Sequence, residues 1–171
     1  MKKTVIATLL IAGSLIADGS GKANDVAPVM DSFYKAECAS CHFAYQPGLL
    51  PSKSWEKVMG NLNNHFGTDA SLEAVENQKI LKYLTDNSAE KYMQFKRSQR
   101  INDSIAKGET PIAITETRYF IKKHREITPK FIKQKEVKSL ANCMACHTTA
   151  DKGSYSERDI LIPNFGKWED D

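Results

Sequence analysis

The chain has 171 residues, 41% of them hydrophobic and 26% charged, and its formal net charge at pH 7 is +3. Its 9 glycines and 6 prolines argue against a disordered or fibrous protein. No segment beyond the N-terminus approaches the roughly 20 apolar residues that a membrane-spanning helix needs, so we expect the rest of the chain to be soluble.

The first predicted element is a secretory signal peptide over residues 1–23. A basic start is followed by an apolar run from Thr4 to Ala17 and by small residues before the expected cleavage after Ala23. Cleavage leaves residues 24–171, with 21 basic and 20 acidic side chains and no membrane-spanning segment. We therefore expect a periplasmic protein, with an uncleaved membrane anchor as the alternative.

Residues 24–87 form the first predicted half of the mature chain, and they contain the sequence Cys38-Ala39-Ser40-Cys41-His42. A helix should run from about Pro28 to this sequence. The stretch 43–51 that follows contains two prolines and a glycine, which predicts an irregular segment.

Two more helices are expected in this half. Apolar side chains at helical spacing predict a helix over 55–65, with Ser54 as its N-cap and Gly67 just beyond its end. The imidazole of His65 would project from the apolar face of that helix. A further helix is expected over 69–87, where aspartate and serine side chains can cap the first turn.

Residues 88–113 are predicted to connect the two halves. A helix is expected around Tyr92 and Phe95, and a polar loop that contains Gly108 and Pro111 follows it. We expect the boundary between the two halves to lie in this segment.

Residues 114–171 form the second predicted half. A helix over 115–124 ends at a histidine, and Thr128 is expected to cap another helix with proline at its first position. This helix leads to Cys143-Met144-Ala145-Cys146-His147, and the short apolar run 160–163 is expected to lie across the group bound there. No strand pattern of any length is evident, so the predicted fold class is all-α, with helices joined by long irregular loops.

The four cysteines indicate the chemistry, because both pairs have the pattern Cys-X-X-Cys-His of c-type haem attachment. Two thiols at this spacing add to the two vinyl groups of one porphyrin, and the adjacent histidine becomes the proximal iron ligand. Disulfides would not require a histidine after each pair, and a four-cysteine zinc site has its pairs about 15–20 residues apart. A redox-active thiol pair would need a thioredoxin-like pattern that is absent from the sequence. The sequence therefore predicts two covalently bound haem c groups, attached through Cys38, Cys41, Cys143 and Cys146, with His42 and His147 as proximal ligands.

The remaining histidines of the chain, His65 and His124, are candidates for the two distal iron positions. Both lie beside apolar positions of predicted helices. The basic neighbours of His124, from Lys122 to Arg125, favour the neutral imidazole that binds iron. We therefore expect two histidines at each iron. The alternative is an ordinary buried role for these two residues, with methionine as the sixth ligand.

Sequence spacing favours one pairing of the histidines. His65 follows His42 by 23 residues, and His124 precedes His147 by the same number. This symmetry favours two local pairs, although a crossed arrangement that ties the two halves together is also possible.

Several segments beside the attachment sequences are similar to those of a known family. They are Tyr45-Gln46-Pro47-Gly48-Leu49-Leu50-Pro51, Ser54-Trp55, Asn64-His65-Phe66-Gly67, Ala150, Gly153 and Ile162-Pro163. With these segments the chain resembles the small dihaem cytochrome c family of bacteria over nearly all of its mature length. The resemblance implies a small helical fold with two haem-binding halves, and it also implies His65 and His124 as sixth ligands. It further implies electron exchange with a redox protein, commonly a small oxygen-binding monohaem cytochrome or a membrane b-type cytochrome.

Two imidazoles on each iron would leave no position for a substrate, so we expect an electron carrier rather than an enzyme. Histidine in place of methionine predicts low reduction potentials. Residues 79–138 carry 15 basic and 7 acidic side chains, which fits either docking of an acidic redox partner or compensation of the haem propionates. No nucleic-acid partner is expected.

Two alternative functions follow from the same motifs. One is the small dihaem subunit of a periplasmic nitrate reductase, which also has two histidines at each iron. The other is a haem enzyme or gas binder, such as a dihaem peroxidase, which needs one iron with a position that can open.

Overall fold

The computed structural model describes residues 24–168, so the predicted signal peptide lies outside the described residues. Within them the helices are α1 Ser32–Cys38, α2 Ser52–Met59, α3 Ala74–Asp86, α4 Lys96–Ser104, α5 Arg118–His124 and α6 Pro129–Ile132. Strands β1 Leu161–Ile162 and β2 Gly166–Lys167 form a short antiparallel pair near the C-terminus. The mostly helical architecture confirms the predicted fold class.

Short 3₁₀ helices occupy many of the connections between these elements. They are Pro47–Leu49, Leu62–Asn64, Ala89–Lys91, Ile114–Glu116, Cys143–Ala145, Ala150–Lys152 and Glu157–Asp159. Among residues 24–168, no helix has the length and apolar character needed to cross a membrane.

Helix α1 begins at Ser32 rather than near Pro28, because Asp31 is its N-cap. The Asp31 carboxylate accepts a hydrogen bond from the backbone N–H of Tyr34 at 2.7 Å, which satisfies a donor of the first turn. The helix ends at Cys38, so the first attachment sequence starts on its last turn.

The prediction of a helix over 55–65 is wrong in its bounds. Helix α2 begins directly after Pro51 and ends before Gly60, so Ser54 lies inside it and is not its N-cap. His65 therefore lies outside the helix. It belongs to a tight loop in which its backbone N–H donates to the Thr68 carbonyl at 2.8 Å and its carbonyl accepts from the Thr68 N–H at 3.1 Å.

The first apolar cluster forms where α2 packs against α3. A capping box between Glu73 and Glu76 starts α3 later than the sequence predicts, and Asn87 follows its last residue as expected. Each large apolar side chain buried here contributes about 1.5–3 kcal/mol relative to an exposed one. The cluster consists of Val29, Tyr34, Ala44, Leu50, Trp55, Met59, Ile80 and Leu84.

Helix α4 lies later in the chain than the helix predicted around Tyr92 and Phe95. It begins after Phe95, and its sequence is mostly polar, with Ser98 and Ile101 as its buried residues. It packs against α5 and against the Pro47–Leu49 turn. Ile101 contributes to a second apolar cluster with Val26, Leu49, Ala150 and Tyr155.

Helix α5 begins at Arg118 rather than at residue 115, because Ile114–Glu116 forms a separate 3₁₀ turn. Thr117 caps α5, since its side-chain oxygen accepts from the Phe120 N–H at 3.3 Å, and the helix ends at His124. Helix α6 has Thr128 as N-cap and Pro129 at its first position, as predicted, but it ends at Ile132 and does not continue to the second attachment sequence.

The start of the described chain is fixed to its C-terminal part at Gly153. The Gly153 carbonyl accepts hydrogen bonds from the N–H groups of Asp25 and Val26 at 2.9 and 3.1 Å. Gly153 has a φ of +78°, and a Cβ there would lie 2.3 Å from the Val26 carbonyl oxygen. Glycine is therefore required both for the backbone conformation and for the close approach of the two segments.

Candidate functional site

The first attachment sequence turns away from α1 and presents His42 beside a half-buried Cys38. Cys41 is exposed. His42 Nδ1 lies 2.8 Å from the carbonyl oxygen of Phe43, and because a carbonyl only accepts, Nδ1 carries the hydrogen. The Nε2 lone pair is thus left available for a metal, as in histidine ligands oriented by a backbone carbonyl.

His65 faces His42 across the first site. The centroids of the two rings are 6.2 Å apart, and their planes differ by 29°. Burial lowers the pKa of His65, and the neighbouring His42 lowers it further, so the imidazole is neutral near pH 7. Neutral imidazole is the form that binds metals.

The second attachment sequence forms a 3₁₀ turn in which both thiols are half-buried. The N–H of His147 donates to the carbonyl of Cys143 at 2.8 Å, and the C-terminal segment is bound to the same turn. Leu161 donates its N–H to the Cys146 carbonyl at 3.0 Å, and Ile160 pairs with His147. The apolar run 160–163 therefore lies against the second site, as predicted.

His124 faces His147 in the second site with a ring separation of 6.1 Å and an interplanar angle of 76°. His124 Nδ1 donates to the Phe120 carbonyl oxygen at 2.9 Å, which again leaves Nε2 available. Burial is the main cause that lowers the pKa of His147 to about 4, with smaller effects of His124 and Arg97. Burial also lowers the pKa of His124, so both rings are neutral near pH 7.

Both ring separations fit one metal ion between two imidazoles. If a metal ion lies between the rings, its two bonds to the ring nitrogens account for about 2.0–2.1 Å each of the distance between ring centroids. About 1 Å then remains on each side, which is close to the distance from a ring nitrogen to the centre of its own ring. The structure thus brings His42 to His65 and His124 to His147, which is the local pairing and not the crossed one.

A cavity of about 760 Å³ extends from the second histidine pair, which is within the range of about 300–1,000 Å³ typical of cofactor sites. Its walls come from α4, α5, α6 and the C-terminal segment, so they belong to distant parts of the chain. Apolar lining residues include Ile101, Phe120, Ile132, Val137, Leu140, Ile160, Ile162 and Trp168. A flat apolar group with two thioether bonds to Cys143 and Cys146 fits this lining.

Tyr45 connects the two sites. Its ring centroid is 4.7 Å from that of His42, and its hydroxyl donates to the carbonyl oxygen of Ala141, two residues before Cys143, at 2.7 Å. Burial raises the pKa of Tyr45 to about 12, so the phenol stays protonated. One aromatic ring thus lies between His42 and the chain that leads to Cys143.

Buried hydrogen bonds through Gln46 also connect the first half of the chain to the second. Gln46 has no exposed surface; its amide donates to the Ala150 carbonyl at 2.5 Å and accepts from the Tyr155 hydroxyl at 2.7 Å. The Tyr155 ring lies 5.4 Å from the His147 ring. Sequence reasoning did not assign these roles, because Gln46 and Tyr155 are more than a hundred residues apart and neither belongs to an attachment motif.

Basic side chains border the second cavity. Arg97 donates to the Tyr119 hydroxyl at 2.7 Å and to the Tyr155 carbonyl at 2.5 Å, and it also lines the cavity. Lys122 and Lys123 of α5 and Arg125, the residue after it, also line the cavity. These cations can compensate the acidic groups of a cofactor.

Comparisons with known proteins agree with this arrangement. The family model for dihaem cytochrome c matches residues 34–155. A diheme cytochrome c from Rhodobacter sphaeroides is 35% identical, with a TM-score of 0.67, over 76% of this chain and 100% of that chain. A diheme cytochrome type c from Shewanella baltica OS155 is 36% identical, with a TM-score of 0.67, over 81% of this chain and 97% of that chain. No curated protein matches the chain significantly.

A c-type cytochrome of this family contains two haem groups, and four cysteines in two Cys-X-X-Cys-His sequences are present here for their attachment. The chain therefore belongs to the dihaem cytochrome c family, as an electron-transfer protein with two covalently bound haem c groups.

Proposed function

We propose that this protein is a periplasmic electron carrier in which each iron has an imidazole on both faces. His42 and His65 bind the first iron, and His147 and His124 bind the second. Cys38 and Cys41 hold the first haem, and Cys143 and Cys146 hold the second. The predicted signal peptide supports the periplasmic location, where c-type cytochromes are found.

The observation that carries the proposal is the pair of facing imidazoles in each site. Ring separations of 6.2 and 6.1 Å match what one metal ion between two nitrogens requires. The lowered pKa values of His65, His124 and His147 favour the neutral, metal-binding form.

Because two histidines would leave no open position at either iron, both sites carry out outer-sphere electron transfer. When bound, each haem takes up and releases one electron. The histidine ligands hold the irons at low potential, because methionine, the usual alternative, raises the potential of a c-type haem. Tyr45 supports electron exchange between the sites, since its ring contacts His42 and its hydroxyl reaches the chain beside Cys143.

Carbon monoxide tests whether the irons are closed. We expect the reduced wild-type protein to show no fast change in its haem absorption when carbon monoxide is added. His65→Gly and His124→Gly variants remove one distal ligand each, and each should bind about one carbon monoxide per chain. Fast, stoichiometric binding by the wild-type protein would contradict the proposal and favour a peroxidase or a gas binder.

We further propose that the redox partner docks on a basic rim formed by Lys122, Lys123 and Arg125. All three side chains are exposed, and all three line the second cavity. Complementary charge beside a redox centre accelerates encounter with an acidic partner. A small monohaem cytochrome or a membrane b-type cytochrome, the partners implied by family resemblance, is the expected class.

An anionic and a cationic small-molecule oxidant test this rim even though the redox partner is not identified. A Lys122→Glu/Arg125→Glu variant should be oxidised by hexacyanoferrate(III) about tenfold more slowly than the wild type at low ionic strength. Oxidation by the cationic tris(phenanthroline)cobalt(III) should become faster. Lys53→Glu/Lys57→Glu makes the same charge change on exposed positions of α2 and is the matched control.

Stopped-flow measurements at rising salt concentration complete this test. Screening should remove the difference between the rim variant and the control, because the Debye length falls to about 3 Å at 1 M salt. Equal rates for the two double variants at low salt would contradict the proposed docking rim.

A further inference from the structure

The two histidine pairs differ in one geometric respect. Their ring separations are nearly equal, but the interplanar angle is 29° at the first pair and 76° at the second. The first pair is thus close to parallel and the second close to perpendicular. A small rotation of either ring would not make the two interplanar angles equal.

Phe120 fixes the plane of His124 through two contacts. The two rings stack with centroids 3.8 Å apart and planes 15° from parallel. The Phe120 carbonyl oxygen also accepts from His124 Nδ1 at 2.9 Å. Phe120 is itself fixed, because it is buried and its N–H donates to the Thr117 cap of α5.

A different anchor determines the plane of His147. Its ring packs against Tyr155 at 5.4 Å and 62°, and Tyr155 is held by the fully buried Gln46. Because Phe120 and Tyr155 belong to separate segments, each ring of the second pair has its own support. Nothing in this arrangement brings the two planes into line.

The first pair has weaker support on its distal side. His42 packs on Tyr45 with a tilt of 37° and donates to the Phe43 carbonyl. His65 contacts Phe66 edge-on at 4.9 Å, but Phe66 is 62% exposed. The angle of 29° therefore depends on one firmly held ring and one on an exposed loop.

We propose that the two irons differ in electronic structure because of these ring orientations, and that Phe120 is the positioning residue that keeps the second pair perpendicular. The proposal rests on the two-histidine ligation of the proposed function. Each imidazole donates from its π system into the iron d orbital that lies perpendicular to its own ring plane. Parallel rings act on one d orbital and separate the two in energy; perpendicular rings act on both and leave them nearly equal.

Electron paramagnetic resonance of the oxidised two-haem protein distinguishes these cases. We expect two low-spin signals of equal integrated intensity. One should be rhombic with three resolved components, and the other should be a single, highly anisotropic feature at low field. A variant with Cys38→Ser and Cys41→Ser should retain the low-field feature and lose the rhombic signal, which assigns the perpendicular pair to the second haem.

Phe120 variants test the positioning role. Phe120→Leu removes the flat face and keeps an apolar side chain, so the low-field feature should shift towards the rhombic form while the first signal is unchanged. Phe120→Tyr retains the ring and should retain the feature. Phe66→Leu, at the first pair, is the matched control and should leave the low-field feature unchanged.

The spectra distinguish a failure of this inference from a failure of the proposed two-histidine ligation. Two rhombic signals of the same shape in the wild type, or an unshifted low-field feature in Phe120→Leu with both haems bound, would overturn this inference and leave the electron-carrier proposal standing. Loss of the feature in Phe120→Tyr as well as in Phe120→Leu would also overturn the role of the ring. A high-spin signal in the resting protein would contradict the two-histidine ligation itself.

Discussion

The two haem sites share the same attachment motif, and each brings two histidine rings face to face, but they differ in the parts of the chain that surround them. At the first site Cys41 is exposed and His65 lies on an exposed loop, while Cys38 packs against the apolar cluster of α1, α2 and α3. The second combines α4, α5, α6 and the C-terminal segment around a cavity of about 760 Å³. Burial is correspondingly stronger there, and it lowers the pKa of His147 to about 4.

This difference shows how one sequence motif can operate in two structural settings. At the first site, short-range contacts orient the histidines, such as the hydrogen bond from His42 to the next carbonyl. At the second, Phe120 orients His124 within α5, but His147 packs on Tyr155, which the distant Gln46 holds, and within residues 24–168 His147 Nδ1 has no hydrogen-bond partner. The second site therefore depends more on the overall fold, and on the cofactor that fills its cavity.

Removal of each attachment pair should give the largest effect and the clearest contrast. Cys143→Ser/Cys146→Ser should bind one haem per chain and expose residues 118–168 to protease, because the large cavity would be left unfilled. Cys38→Ser/Cys41→Ser should also bind one haem but keep that region protected. Haem content from pyridine haemochrome spectra, with limited proteolysis and mass spectrometry, measures both. Equal protection in the two variants would show that the sites do not differ as described.

Alanine substitutions at two glycines compare backbone packing in the two regions through the free energy of unfolding. Gly67 and Gly153 both have positive φ, at +85° and +78°, but only Gly153 faces a close neighbour. Gly67→Ala should cost about 1 kcal/mol from the left-handed conformation alone. Gly153→Ala should cost about 3 kcal/mol, since its Cβ would also press on the Val26 carbonyl. Urea unfolding of the haem-loaded proteins gives both values, and similar losses would contradict the packing described.

Gln46 tests the connection between the two regions. Gln46→Leu leaves the Ala150 carbonyl and the Tyr155 hydroxyl without their partner in a buried setting, so we expect a loss of about 2 kcal/mol in the free energy of unfolding. Lys82→Ala breaks an exposed ion pair with Asp86 and should change stability by less than about 0.5 kcal/mol. If Gln46→Leu lowers the free energy of unfolding no more than this control does, Gln46 does not stabilise the connection between the two regions.

The sequence predicts those features that depend on local chemistry. The haem attachment sites, the export signal and the Thr128-Pro129 helix start are each encoded in a few adjacent residues. The family comparison confirms the two haems, and the structure confirms the helix start. The order of helices was predictable for the same reason.

Helix bounds and tertiary partners were less predictable. Apolar periodicity continued past Met59, and it hid the effect of Gly60, which ends α2 before His65. Helix α4 was misplaced because its polar sequence shows little periodicity and its burial comes from contacts elsewhere in the fold. The contact of Tyr45 with Ala141 has no signal in the sequence, because the two residues are far apart in the chain. The contact of Phe120 with His124 does have one, since their i,i+4 spacing in the predicted helix places both side chains on one face.

Near-infrared magnetic circular dichroism of the fully oxidised protein tests the central claim most directly, because its ligand-to-iron bands report the axial ligands of low-spin haem. Two imidazoles on each of two irons predict bands of the bis-imidazole type that account for both haems of the chain. A band typical of histidine–methionine ligation, or a high-spin band from either haem, would contradict that ligation.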